Sequence, residues 1–303
     1  MKPLVPPTKF CIYSDDSRSE TLRFINDIES IGVNNKGKVT VDLSKVKYAS
    51  AAASVLFFAI VNRAQFLTKD PNFVRFVWPK KEDNPEGHRW IVSTGLSRAL
   101  IAGTDEKLKI LTREERYFQS AVEPSEHIFD TVTMLQKKAV LNDGQLGLLL
   151  TAISEALLNV SHHAYENDAF TESLLLLKGK RWWQCAWFNP EENRIVFIVC
   201  DLGLGIFKSF VPDGDGLGVQ NEVSSVEKAM LVGESRFVGA GRGNGSDDIK
   251  RPIDAGLDAD EALLILTGHA RYHYNSNDSC PQCERLAEYI PGTLLQWSLV
   301  ARR

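Results

Sequence analysis

Short β-like runs alternate with helical runs over the first hundred residues, and this rhythm restricts the fold more than any other pattern in the chain. The β-like runs are KFCIY, KVTVDL and NFVRFVW, at 9–13, 38–43 and 72–78. Patterns of apolar residues with helical spacing lie between and after them, at 19–32, 52–66 and 88–101. Strands that alternate with helices predict a small α/β sandwich.

The length of the chain and a charged segment before its middle predict two domains. At roughly 150 residues per domain, the 303 residues correspond to two domains. The segment Thr104–Ser125 is rich in charged residues and contains a proline near its end, so we interpret it as the connector. The predicted domains are 1–120 and 121–303. The alternative is an ordinary surface segment inside one larger domain.

The net charge of −4 hides an imbalance between the two parts of the chain. Counting Lys and Arg against Asp and Glu, residues 1–120 sum to about +5 and residues 121–303 to about −9. Neither part has the basic excess that is typical of nucleic-acid-binding proteins. We therefore expect no nucleic-acid partner.

Cysteine usage and the length of the apolar runs predict a soluble, cytoplasmic protein without a membrane segment. The five cysteines are Cys11, Cys185, Cys200, Cys280 and Cys283. An odd number of mostly isolated cysteines fits a reducing compartment better than a disulfide scaffold. The longest apolar stretch, Ala49–Val61, is shorter than the roughly 20 residues that span a bilayer.

In the second half, Glu155 and Asn159 share one face of a predicted helix. The apolar run at 140–165 predicts one long helix, for which Asp143 is a candidate N-cap. The i,i+4 spacing places the carboxylate and the carboxamide one turn apart. An amide oxygen suits a hydrated Mg²⁺, and a carboxylate beside it can polarise a nucleophile. His163 lies two turns after Glu155, near the same side.

Asp201, Gly203 and Gly205 form a second group at the end of a predicted strand. The apolar run RIVFIVC at 194–200 leads directly into Asp201. An acidic side chain there can accept a hydrogen bond from an exocyclic amine such as adenine N6. The glycines let the backbone turn and approach a ligand closely. Many turns match this pattern, so alone it is weak.

Alternating glycines form a third group, GAGRGNG, at 239–245. Successive backbone N–H groups in such a loop can surround an anion, above all where a helix begins. Arg242 adds a charge-assisted contact to phosphate. The loop is not a P-loop, because no Gly-Lys-Ser or Gly-Lys-Thr follows it. A flexible surface loop is an equal alternative for this segment taken alone.

The order of these groups resembles the nucleotide-binding motifs of the GHKL (Bergerat-fold) ATPase superfamily. EALLNVSHHAY at 155–165 resembles its N box, DLGLGI at 201–206 its G1 box, and GRGNG at 241–245 its G2 box. PGTLLQWSL at 291–299 resembles its closing Gly-Thr strand. The resemblance covers about residues 140–300 and is closest to the anti-sigma serine kinases and their relatives. It implies a Bergerat α/β sandwich, in which helices cover a mixed sheet.

This resemblance implies that the protein binds ATP and Mg²⁺. By it, Glu155 is the general base and Asn159 helps to hold Mg²⁺. Asp201 reads adenine, and Thr293 supports that side of the pocket. Residues 221–240 form a lid that closes over nucleotide. The other residues that the resemblance assigns to nucleotide binding are His163, Gly203, Gly205, Gly241, Arg242, Gly243, Asn244 and Gly245.

The residues after the G2 box depart from the family pattern. An apolar residue is usual there, whereas this chain has Ser246, Asp247 and Asp248. Two acidic side chains follow the loop that phosphates approach. The geometry of the lid is therefore the part of the resemblance that this sequence supports least.

The N-terminal part carries a second resemblance, to the core of STAS-type domains. VTVDLSKVKYASAAASVLFFAIV at 39–61 has the strand that ends in Asp-Leu-Ser, the turn of small residues and the helix. In anti-sigma antagonists of this type the turn carries a phosphorylated serine, and the matching position here is Ala51 or Ala52. We expect a regulatory module that docks protein partners and is not phosphorylated at that position. An unrelated α/β domain is the alternative.

Two further patterns are open to more than one interpretation. Cys280 and Cys283, with His269 and His273 upstream, suggest zinc. On a strand the two histidines would lie roughly 13 Å apart, so a loop between two strands is the preferred interpretation. The run LLLLKGKRWWQCAWFN at 174–189 predicts a strand, and its tryptophans at 182, 183 and 187 suggest an aromatic platform or, preferably, core packing.

The predicted function is a Mg²⁺-dependent, ATP-binding regulatory protein kinase or ATPase that acts in signalling or partner switching. The alternative is an ATP-gated interaction protein, in which nucleotide closes the lid and hydrolysis is slow or absent. Protein partners would bind through the STAS-like part. The sequence leaves the formation of a homodimer open.

Overall fold

The protein is mixed α/β and divides into two compact units. One unit consists of Met1–Ala121 with Thr171–Cys185, and the other of Val122–Phe170 with Ala186–Arg303. The computed structural model describes residues 3–31, 37–141, 143–210, 222–231, 245–255, 260–278 and 280–301.

Helices occur along the whole described part of the chain. The α-helices are α1 (Asp15–Ser30), α2 (Ala51–Thr68), α3 (Pro85–His88), α4 (Leu96–Leu100), α5 (Asp105–Arg113), α6 (Ile128–Gln136), α7 (Asp143–Asn159), α8 (Thr171–Leu177), α9 (Gly205–Phe210), α10 (Glu222–Ala229) and α11 (Gly245–Asp254). The other helical turns are the π-helical turns Arg89–Ser93 and Val160–Ala164 and the 3₁₀ turn Asp168–Phe170.

The strands form one five-stranded antiparallel sheet and two small parallel pairs. The strands are β1 (Lys9–Phe10), β2 (Val39–Asp42), β3 (Tyr48–Ala49), β4 (Val74–Val77), β5 (Phe118–Ala121), β6 (Trp182–Asn189), β7 (Arg194–Asp201), β8 (Ala262–Tyr274) and β9 (Gln282–Val300). β1 pairs with β3 and β2 with β4, both in parallel. The large sheet has the order β5–β6–β7–β9–β8.

The large sheet corrects the expectation of a mixed sheet in the second half of the chain. β9 lies between β7 and β8 and is antiparallel to both. β8 and β9 follow each other in sequence and pair as a long hairpin, which imposes antiparallel pairing. The α/β character is confirmed, and the sheet that carries it is antiparallel.

α2 forms the core of the first unit because it is apolar around its whole circumference. Residues 52–62 are all buried. The helix is 18 residues long and apolar enough to cross a membrane by composition, but 78% of it is buried inside the fold. The apolar segment thus extends beyond Ala49–Val61, the longest apolar stretch identified in the sequence. Ser50 caps its N-terminus by accepting a hydrogen bond from the backbone N–H of Ala53.

The serines that flank the expected phosphorylation position are buried in this unit. Ser50 is 1% exposed and Ser54 is 3% exposed. Ala52 is also fully buried, and its backbone N–H donates to the hydroxyl of Tyr13. A protein kinase would have to open the N-terminus of α2 to reach either serine. That this turn is not phosphorylated stays a prediction.

Two predicted elements of the first unit were wrong. The run LLLLKGK at 174–180 is predicted as part of a strand, but its four leucines form the end of α8, and two residues of positive φ, Lys178 and Gly179, follow them. A run of four leucines has no periodicity that separates a strand from a short helix. The single helix predicted at 88–101 is interrupted at Gly95, whose φ of +86° no α-helix accepts.

The predicted connector Thr104–Ser125 contains a helix and a strand of the first unit. Its strand β5 pairs with β6 from Phe118 opposite Cys185 to Ala121 opposite Trp182. The helix α5 begins at Asp105, which forms ion pairs with Lys178 and Arg181, both at 2.7 Å. The segment is thus ordered structure. The predicted domain boundary between 120 and 121 stays a prediction.

The tryptophans at 182 and 183 pack in the core, as preferred from the sequence. Both are fully buried. The indole N–H of Trp183 donates to the side-chain oxygen of Asn62 on α2, at 2.9 Å. A buried indole that has a partner costs little, so the pair can serve packing alone.

Candidate functional site

Asp201 is a buried carboxylate at the end of β7. Its side chain is 4% exposed, and it lies opposite Thr293 of β9 in the strand register. The backbone N–H of Gly203 donates to Asp201 Oδ1 at 2.8 Å. Burial raises the pKa of Asp201 to about 7, although hydrogen bonds from Gly203 and from the backbone and side chain of Thr293 lower it. Asp201 and Thr293, predicted as neighbours in one pocket, do lie together.

The turn after Asp201 is fixed against the end of the helix that carries the predicted N box. The backbone N–H of Leu204 donates to the carbonyl oxygen of Ala164 at 2.7 Å. Gly203 lies so close to Ala164 that a methyl group added to it would overlap this carbonyl, at 2.6 Å from the carbonyl carbon. The hydroxyl of Tyr165 accepts a hydrogen bond from the backbone N–H of Leu202 at 3.2 Å. The predicted N and G1 boxes are thus in direct contact.

Gly203→Ala is expected to destabilise the second unit by about 3 kcal/mol, because the methyl group must displace backbone atoms that are hydrogen-bonded to the turn. Urea unfolding measures the change. Gly147→Ala is the matched control: Gly147 lies in α7 with nothing within 4 Å of the added methyl group. Alanine there should be neutral or stabilising. Equal effects of the two substitutions would contradict the steric argument.

Gly205 and Gly292 shape the other side of this turn through backbone conformations that favour glycine. Gly205 has a φ of +79° and Gly292 a φ of +67°. A side chain on Gly292 would overlap the backbone of Asp201. The hydroxyl of Thr267 donates to the Gly292 carbonyl at 2.9 Å and accepts from the Ile206 backbone N–H at 3.0 Å.

Sequence reasoning missed Thr267 and Tyr165 as residues of this site. Thr267 lies in β8 opposite Thr293, and only the pairing of β8 with β9 brings them together. Tyr165 is the last residue of the quoted N box and was given no role. Its position in that motif was the one available signal. Thr267 had none, because the Leu-Thr-Gly in which it stands occurs in many strands.

Glu155 and Asn159 lie on α7 and are both partly exposed. Burial, and secondarily the charge of Asp248, raise the pKa of Glu155 above its ordinary value, while His162 lowers it. Gly245, the first residue of α11, lies beside this carboxylate: an added methyl group there would be 2.9 Å from the carboxyl carbon of Glu155. The predicted base therefore faces the residue that closes the G2 box.

Asp247 and Asp248 are paired with a cation one turn along α11. Arg251 lies 3.0 Å from Asp247 and 2.7 Å from Asp248. The acidic residues that depart from the family pattern thus form i,i+4 and i,i+3 ion pairs on their own helix. Part of the negative charge that they bring to this helix end is offset there.

His163 lies in the π-helical turn Val160–Ala164, which follows α7 directly. The long helix predicted up to 165 thus changes pitch after Asn159, and a π turn places side chains differently from an α-helix. His163 Nδ1 is 3.7 Å from a carboxylate oxygen of Glu166. Its backbone carbonyl accepts a hydrogen bond from the hydroxyl of Ser209 at 3.4 Å.

Part of the predicted site lies outside the described residues. Gly241, Arg242, Gly243 and Asn244 belong to that part, as do 221 and 232–240 of the predicted lid. The start of the predicted lid is the helix α10, in which Val226 is fully buried. α10 packs against α9, β8 and β9. The described start of the segment is therefore packed helix.

The described residues offer a hard cation two oxygen donors, the side chains of Glu155 and Asn159. Carboxylate and amide oxygens suit Mg²⁺, which takes few protein ligands and completes its shell with water and phosphate. Both residues are partly exposed, so water can complete the shell of an ion that they hold. Within the described ranges, no group of three or more His, Cys, Asp or Glu residues is placed to hold a metal, the Cys280–Cys283 segment included.

Comparison with protein-family models and with curated proteins found no match to this chain. The resemblance to the GHKL superfamily therefore depends on the motifs of this chain alone.

Proposed function

We propose that the chain is an ATP-binding regulatory protein of the GHKL type, a Mg²⁺-dependent protein kinase or ATPase in a signalling or partner-switching system. The observation that carries the proposal is Asp201, a buried carboxylate at a strand end whose glycine turn contacts the helix of Glu155 and Asn159. The second unit would then be a Bergerat sandwich whose sheet is antiparallel.

The adenine side of the proposed site depends on the unusual protonation of Asp201. A buried carboxylate with a pKa of about 7 is costly to the folded state, and such groups are concentrated at functional sites. An exocyclic amine that donates to this carboxylate would replace the water that the carboxylate lost on burial. Adenine N6 is such a donor.

The phosphate side of the proposed site lies between α7 and the start of α11. The N-terminus of α11 begins beside Glu155, and backbone N–H groups at a helix start favour anions. Asn159, one turn along α7, would hold Mg²⁺, which supplies positive charge to the triphosphate when bound. Glu155 would accept the proton of the attacking hydroxyl, and its raised pKa makes the carboxylate a stronger base than an ordinary glutamate.

One observation favours the alternative, an ATP-gated interaction protein. A general base must approach its nucleophile within hydrogen-bonding distance. Gly245 occupies the space directly beside the Glu155 carboxylate. If this arrangement persists with nucleotide bound, substrate has no route to Glu155 from that side, and ATP would act by changing the surface that partners contact.

Incubation of the protein with γ-labelled ATP and Mg²⁺ distinguishes these functions. Label on a serine or threonine of a partner protein would identify a kinase, and free phosphate an ATPase. Nucleotide binding by calorimetry without either product would identify the gate. Absence of ATP binding would contradict all three.

Asn159→Ala is expected to weaken binding of Mg·ATP about tenfold and to leave binding of metal-free ATP unchanged, since the amide holds the ion and not the nucleotide. Calorimetry with Mg²⁺ and with EDTA measures both values. The control is Asn26→Ala, which removes an exposed amide from α1. An equal loss in EDTA would show that Asn159 contacts the nucleotide directly.

The first unit is proposed to be STAS-like and to dock protein partners. Its support is the order of β2, the Asp-Leu-Ser turn and the buried helix α2 capped by Ser50. Whether two copies of the chain associate through it is measured by sedimentation. A homodimer would bring two nucleotide sites into one particle.

A further inference from the structure

A groove of about 410 Å³ opens on the first unit where β4 ends. Residues 78–82, which directly follow β4, form one side of the groove. Val92 of the π-helical turn and Arg98 of α4 belong to the other side. The groove therefore lies between the end of a strand and a helical segment of the same unit.

Cations dominate the polar lining of this groove. Lys80, Lys81 and Arg98 line it, and Glu82 is the one carboxylate among its lining residues. All three cationic side chains are on exposed residues. In the part of the chain that the structure describes, none of them is in an ion pair. Their charges are available to an anionic partner.

Apolar surface accompanies these charges. Trp78 lines the groove and stacks on Phe76 of β4, with ring centroids 4.7 Å apart and an interplanar angle of 20°. Ile101 lines it at the end of α4 and is 46% exposed. An indole held in place by stacking, next to an exposed aliphatic side chain, can take up an apolar side chain of a partner.

The segment that follows the lining residues 78–82 is held in place by the hydrogen bonds of a half-buried amide. Asn84 caps α3 by accepting from the backbone N–H of Gly87 at 2.9 Å. Its amide donates to the carbonyls of Ser44 at 2.9 Å and Val46 at 2.7 Å. Gly87 packs so closely against Val46 that no side chain fits there. A surface fixed in this way loses little entropy when it binds.

We propose that this groove binds an extended acidic segment of a partner protein, with carboxylates against Lys80, Lys81 and Arg98 and an apolar side chain against Trp78 and Ile101. Charge complementarity selects the acidic partner. Nucleic acid is the poorer occupant, because it takes long basic stripes and has no aliphatic side chain for Ile101. Three of the cationic residues behind the basic excess of residues 1–120 would thereby contact the partner. The proposal is independent of nucleotide binding by the second unit.

Selection of a random twelve-residue peptide library on phage against the full chain tests the proposal. The enriched peptides are expected to combine several Asp or Glu residues with an aliphatic or aromatic residue. Binding of the synthesised peptides is then measured by fluorescence anisotropy. The double substitution Lys80→Glu with Arg98→Glu should weaken the binding of these peptides at least tenfold, since the attraction between the groove and the acidic residues becomes repulsion. Lys109→Glu with Arg113→Glu, at two exposed positions of α5, is the charge-matched control and should change peptide binding little.

Three outcomes would overturn the proposal. They are selection of peptides without acidic residues, equal binding to the double variant and the wild type, and tighter binding of a 20-nucleotide single-stranded DNA that the double variant loses. Trp78→Ala removes the apolar contact and keeps the charges. It should weaken peptide binding and leave the salt dependence of that binding unchanged. Circular dichroism and urea unfolding confirm that each variant is folded.

Discussion

Asp201→Asn is expected to make the folded protein more stable at alkaline pH and to remove its affinity for adenosine. Burial raises the pKa of Asp201 from an ordinary 3.8 to about 7. Between about pH 4 and 7 the folded state therefore retains a proton that the unfolded state has released. Stability falls as the pH rises through this window and stays low above it. Asparagine does not ionise and escapes this loss, which amounts to about 4 kcal/mol above pH 7.

Urea unfolding at pH 5.5 and pH 8.5 measures this effect. The stability of the variant relative to the wild type should increase by about 2 kcal/mol between the two conditions. Asp168→Asn makes the same change at an exposed carboxylate and is the matched control. Its stability relative to the wild type should be the same at both pH values. The same constancy for Asp201→Asn would contradict the argument that burial holds a proton on Asp201.

The loss of adenosine binding follows from the hydrogen bonds of the same carboxylate. The carboxylate of Asp201 accepts hydrogen bonds from Gly203 and Thr293, and an asparagine replaces one of its two acceptor oxygens by an NH₂ group, which donates. A donor would then face the amine donor of adenine, and affinity should fall about a hundredfold. Adenosine is the probe because it has no phosphate group that would titrate near pH 7. Unchanged binding by calorimetry would remove Asp201 from the adenine site.

Sequence reasoning located the residues of the site that lie at the ends of regular elements. Asp201 could be placed at a strand end because the apolar run before it is continuous. Glu155 and Asn159 could be placed on one helix face because their spacing fits one turn. The contact of Gly245 with Glu155 was implied only by the resemblance. It depends on how α11 packs against α7, which no local pattern encodes.

Some of the features that sequence reasoning missed depend on long-range strand pairing. Others depend on a choice between two local conformations that differ little in energy. Thr267 reaches the site through the register of β8 and β9. The π-helical turn at Val160–Ala164 has the same composition as an α-helix and differs in one hydrogen-bond step. α8 was mistaken for a strand because four consecutive leucines carry no period. The antiparallel sheet follows from hairpin connections that the predicted elements did not specify.

The largest effect on catalysis is expected for Glu155→Gln, which should reduce phosphate transfer from ATP about a thousandfold and change ATP affinity by less than threefold. Glutamine has the shape of glutamate and cannot accept the proton of a nucleophile, and general bases contribute about 100- to 10,000-fold to rates. Steady-state kinetics and calorimetry measure the two values. Glu172→Gln, at an exposed position of α8, is the control. If turnover stays unchanged, Glu155 is not the base, and loss of binding would make it a ligand contact.

The pH dependence of turnover distinguishes a base from a residue that only maintains the structure. Burial and the charge of Asp248 both raise the pKa of Glu155, so wild-type activity should fall on the acidic side at a pH above the ordinary pKa of a glutamate, 4.5. Asp248→Asn removes one of these causes and should shift the acidic limb of the profile to lower pH without abolishing activity. Arg251 would lose one of its two ion pairs and keep the one with Asp247. An acidic limb that does not move in Asp248→Asn would mean that a group other than Glu155 controls it.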